Sequence, residues 1–115
     1  MSRFFLQQDP EIQQFLLQIS VLRKINPALV IALTGNPAAQ QILDVISQKG
    51  LFIQAIDEQR TWYRVHHLFR DFLQSKFKLL QPDAYQQMHS KAAEWFKQQR
   101  YLMEAIYHAQ QAEDQ

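Results

Sequence analysis

Apolar residues recur along this chain in two rhythms, one helical and one extended, and their order predicts the architecture. Ile12, Phe15, Leu16 and Ile19 stand at i, i+3, i+4 and i+7, the stripe of an amphipathic helix from Pro10 to about Ser20. A short apolar segment from Pro27 to about Leu33 predicts a second helix, stopped by Thr34-Gly35. Ala39, Ile42, Leu43 and Ile46 define a third, from Pro37 to Lys49, with Gly50 as its stop. Each start carries the same signal. Asp9-Pro10, Asn26-Pro27 and Asn36-Pro37 set a capping side chain before a proline at the first helical position.

The rhythm then shortens. Leu51 to Ile56 is an apolar run of strand length, Asp57-Glu58-Gln59-Arg60 is a polar turn, and Thr61 to Val65 returns as a second strand. Phe69, Phe72, Leu73 and Phe77 restore helical spacing, predicting a fourth helix from about His67 to Leu80. Three helices, a two-stranded hairpin and a fourth helix make a winged helix. Gln81-Pro82-Asp83 breaks the pattern. Beyond it, Ala84 to Gln98 is helical, with Tyr85, Met88, Ala92, Trp95 and Phe96 at helical spacing. After a Gln99-Arg100 turn, a last helix runs from Tyr101 to about Ala112, with Leu102, Ala105, Ile106 and Ala109 expected inward. Alanines against aromatics in a helical hairpin read as one repeat of an α-solenoid, which buries its face by stacking on further repeats. The expected fold is therefore mainly α: a winged helix over residues 1–80, then a TPR-like helical hairpin over 81–115 that opens a longer arm.

Composition narrows the function classes. Twelve basic residues against eleven acidic give a net charge of +1, no strong bias toward nucleic acid or membrane. Cysteine is absent and only Gly35 and Gly50 are glycine. Disulfides, thiolate metal sites and Gly-rich phosphate loops are thereby excluded. The sequence has no apolar run near the roughly 20 residues that span a bilayer and no signal-peptide pattern at its start; a cytoplasmic location is expected.

The candidate chemistry sits in Trp62 to Leu73, where strand character gives way to helix at the adjacent His66 and His67. A helix start offers unpaired N–H groups and positive potential to an anion. Imidazole can donate a hydrogen bond to phosphate and changes charge near neutral pH. Residue chemistry alone leaves two readings of the pair, a structural one and a phosphate sensor. Catalysis and metal binding have little support: no nucleophile neighbours the histidines, and no metal-ligand spacing appears. His89 and His108 are expected on helix flanks, and Arg70 and Asp71 on a solvated helix face or in a local ion pair. Trp62 and Trp95 are expected as core anchors, and Phe4-Phe5-Leu6 as packing against the first helix. A DNA-reading third helix would expose Gln40, Gln41, Asp44, Ser47 and Gln48, with Lys49 its one cation, poor equipment for phosphate neutralisation.

Several phrases together resemble the winged-helix segment of MalT-like, LuxR-type transcriptional regulators of the STAND ATPase class. They are Phe15 to Leu22, Ala32 to Gly35, Leu51-Phe52 and, most specifically, Trp62 to Leu73. His89 to Phe96 and Glu104 to Ala112 resemble the first helical repeat of that family's sensor arm. The resemblance implies an ATPase core elsewhere in a longer parent, with ADP or ATP bound there and no cofactor or catalysis in this chain. It implies that the winged helix folds onto that NTPase domain in the resting state, and that a histidine reaches the ADP β-phosphate. The related Met-His-Asp phrase of apoptosome and plant-resistance proteins falls on Val65-His66-His67, which gives the sensing role to His66, with His67 beside it. Implied partners are the NTPase domain and the downstream helical arm within the same protein. DNA would be met only through a separate domain, and no membrane is involved. The rival readings are a DNA-binding winged helix and an inert helical interaction scaffold.

Overall fold

Local capping chemistry decides where the helices begin. The computed structural model describes residues 10–48, 53–59 and 62–113. Helix α1 spans Pro10–Ile19 and buries Phe15, Leu16, Leu17 and Ile19. Helix α2, Pro27–Thr34, starts at Asn26, whose side-chain oxygen accepts the Leu29 N–H at 2.7 Å. It ends at Gly35, whose left-handed φ of 71° suits the residue without a side chain. Helix α3 spans Ala39–Gln48, two residues later than the proline signal predicts. Asn36 explains the delay. Its side chain accepts the Ala38 N–H at 2.9 Å and turns Pro37-Ala38 before the helix starts. The expected roles of Asp9, Lys49, Gly50 and Phe4 to Leu6 lie outside the described residues, as do parts of both predicted strands.

Strands β1 (Ile53–Ala55) and β2 (Tyr63–Val65) pair antiparallel, with Gln54 opposite Arg64. Asp57 closes the turn by accepting the Trp62 N–H at 3.0 Å. A further rung joins Ile25 to Tyr63 through two backbone hydrogen bonds of 2.8 and 2.7 Å. Helix α4, His67–Leu80, buries Phe69, Leu73 and Phe77. Helix α5 spans Pro82–Gln98 and α6 spans Leu102–Glu113. One apolar core runs from Phe15 on α1 to Ala105 on α6, with Trp62 and Trp95 packed at its margin. Three helices, a wing and a fourth helix, followed by a helical hairpin, form the mainly α winged-helix arrangement.

The last helix is rotated from the expected one. Ala105, His108 and Ala112 face the core, whereas Leu102 and Ile106 are 63% and 53% exposed and Ala109 is also exposed. An apolar count favours the Leu102–Ile106 side. The rotation instead brings His108 against His89 and Phe96, which stacks on it at 5.6 Å. The displaced apolar side chains line an open groove of about 520 Å³ between α5 and α6.

Candidate functional site

Strand gives way to helix within two residues, and that junction shapes a cationic cleft. Side chains alternate along β2, so Tyr63 and Val65 enter the core while Arg64 remains exposed. His66 is the N-cap of α4, with φ −53° and ψ 135°. Its Nδ1 accepts the Leu68 N–H at 3.3 Å. A ring nitrogen that accepts carries no proton, so the neutral imidazole keeps its hydrogen on Nε2 and donates from there. His67 stacks on His66 with centroids 4.5 Å apart, and both rings are exposed.

A cleft of about 430 Å³ opens beside them, lined by both histidines, Val65, Gln54, Arg23, Arg64 and Arg70. Three of the six arginines in the sequence therefore meet in one place, and none of the lining residues is acidic. Arg70 follows His66 by one helical turn, and its N–H donates to the His66 carbonyl at 2.9 Å. Its Nε is shielded from solvent and has no protein acceptor. Arg70 is thus half-buried in the cleft wall, a correction to the solvated face expected of it. Arg23 arrives from the loop between α1 and α2. Its guanidinium donates to both carboxylate oxygens of Glu104, at 2.9 and 3.3 Å, and lies 3.8 Å from the Tyr107 ring centroid. Lys24, next in the chain, sits over Trp62 and Tyr101 at 4.7 and 4.5 Å. These chemical features suit an anion: forked guanidiniums match phosphate oxygens, and the helix start adds N–H groups and positive potential. The cleft walls carry no hydroxyl or thiol nucleophile.

The other two histidines contradict the helix-flank expectation. His89 and His108 are fully buried, with their Nδ1 atoms 2.9 Å apart. One Nδ1 must donate and the other accept, so at least one ring is neutral, while both Nε2 atoms are buried without a hydrogen-bond partner. Burial, then the charge of Lys78, lowers the His89 pKa from 6.5 to about 4. Burial, then His89, then Arg23, lowers that of His108 to about 3. The four histidines thus divide into two unrelated pairs. Among the described residues no group of three His, Asp or Glu is arranged to hold a metal, and no helix is long and apolar enough to cross a membrane.

Two of the side chains that a DNA-reading third helix would expose, Gln40 and Asp44, contact Tyr63 of the wing. Asp44 accepts the Tyr63 hydroxyl at 2.7 Å and the Gln40 amide at 3.1 Å, tying that face to the wing. Sequence reasoning singled out the histidines and missed the arginines around them. Period-two spacing from His66 to Arg64, and one turn from His66 to Arg70, were available signals. Arg23 had none, because a tertiary rung delivers it.

Comparison with known proteins gives the family. The MalT winged helix domain model matches residues 1–85. The HTH-type transcriptional regulator MalT of Yersinia pestis (strain Pestoides F) is 38% identical over 108 residues, 94% of this chain and 12% of that protein. Its namesake in Vibrio parahaemolyticus is 36% identical over 106 residues, 92% of this chain and again 12% of the relative. This chain therefore spans about an eighth of the relatives' length, and it belongs to the MalT winged-helix domain family.

Proposed function

We propose that this chain is the nucleotide-responsive latch of a larger, ATP-dependent transcriptional regulator, with residues 81–115 as the first repeat of its helical arm. A neighbouring NTPase domain of the parent holds ADP or ATP. The winged helix closes onto that domain, and His66, with His67 beside it, donates a hydrogen bond to the ADP diphosphate. The observation that carries this reading is the exposed, stacked imidazole pair at the head of α4, inside a cleft lined by arginines and free of acidic side chains. The Nδ1 contact to Leu68 supports it further, since it leaves Nε2 as the donor. The relatives' title as HTH-type regulators supports an output on DNA through a separate domain. The latch does no chemistry itself, and the parent is cytoplasmic.

The mechanism is a two-state bias. A hydrogen bond to a charged group contributes about 1.5–3 kcal/mol, enough to move a balanced equilibrium roughly tenfold or more. ADP strengthens the closed contact, and exchange for ATP releases it. His66→Ala in the full-length regulator is expected to raise basal activation about tenfold and to speed ADP loss, read by reporter transcription and by retained nucleotide. Basal activity and ADP retention both equal to the parent protein's would reject the latch.

A further inference from the structure

Arg23 belongs to two places at once. It lines the histidine cleft, yet its guanidinium is paired with Glu104 on α6 and stacked on Tyr107. The ion pair is partly open to water, the two side chains being 40% and 16% exposed. The pair is bidentate, but water reaches the Arg23 side of it, so a more highly charged anion competes for the same guanidinium. Arg64 and Arg70 bring two more forks to the same volume, and Arg70 Nε has no protein acceptor. A ligand with two adjacent phosphates, charged about −3, matches three guanidiniums better than a single phosphate does.

We infer that the cleft is a diphosphate-binding site in which Arg23, Arg64 and Arg70 hold the anion, and that filling it draws Arg23 off Glu104 and loosens α6 from the winged helix. The inference rests on the phosphate reading above and adds to it three ligand residues and a route to the helical hairpin. Glu104 competes with the ligand for Arg23; occupancy of the cleft and attachment of α6 therefore oppose each other.

The test titrates the 115-residue chain with inorganic pyrophosphate at fixed ionic strength, with sulfate as the control anion. Arginine side-chain N–H resonances and amide exchange in α6 are the readouts. The expected result is saturable binding that weakens about tenfold in Arg64→Gln or Arg70→Gln. It tightens about threefold in Glu104→Gln, which frees Arg23, and α6 exchanges faster once pyrophosphate is bound. Arg64 lies on the exposed face of β2, so its variant reads the site even where Arg70→Gln disturbs the fold. Absence of saturable binding, or sulfate binding equally well, overturns the site. Unchanged affinity in Glu104→Gln overturns the sharing of Arg23. Failure of the latch is seen separately, as a silent His66→Ala in the full-length protein while pyrophosphate still binds here.

Discussion

The chain holds two histidine pairs, and they have opposite environments. His66 and His67 are sequence neighbours, exposed and stacked at a helix start among arginines. His89 and His108 are nineteen residues apart, sealed inside α5 and α6 and joined nitrogen to nitrogen. One pair lies open beside a cleft; the other shares a single Nδ1–Nδ1 contact and leaves both Nε2 atoms buried without a partner. The difference teaches that imidazole chemistry is decided by its surroundings and that adjacency in sequence says little about burial.

The largest test of this contrast is removal of a buried ring. His108→Ala deletes the stack on Phe96 and leaves His89 without its partner. It is expected to cost about 3–5 kcal/mol, lowering Tm by 10 °C or more, measured by calorimetry. A change under about 1 kcal/mol would erase the structural half of the comparison. The next effect is on pH dependence. The unfolded chain takes up these protons near pH 6.5, while the folded rings resist until about 4 and about 3. Between those limits the unfolded state binds more protons, so stability rises with pH. It is complete above the ordinary histidine value and falls as the medium acidifies toward pH 4 and below. Unfolding free energies from urea titrations at pH 7 and pH 5 should differ by on the order of 3–4 kcal/mol, and a His89→Gln, His108→Gln double variant should flatten the slope. An unchanged slope in that variant would reassign the acid sensitivity to other groups. The smallest effect belongs to the exposed pair: His67→Ala should leave Tm within about 2 °C of the parent chain. A shift as large as that of His108→Ala would show the two pairs to be alike.

The fold was legible wherever local chemistry decides. Asn26-Pro27 marks the start of α2 and the aromatic spacing after His66 marks α4, because caps and side-chain periodicity act within a few residues. The position of His66 and His67 was legible for the same reason. What escaped depends on packing. The rotation of α6 follows from a contact between His89 and His108, two residues that an apolar count discards. The start of α3 moved because Asn36 capped a turn ahead of the helix. Arg70 looked solvated on its helix and is half-buried, and Arg23 reaches the cleft from a loop with no motif of its own.

The single rung between Ile25 and Tyr63 has a mechanical consequence. It bolts the inter-helix loop to the wing, and Arg23 stands only two residues upstream, a reach of about 7 Å even for a stretched backbone. Any force that tilts the β-ribbon must tow this guanidinium along with it. A partner gripping the ribbon would thus tug on the hairpin's anchor without touching it.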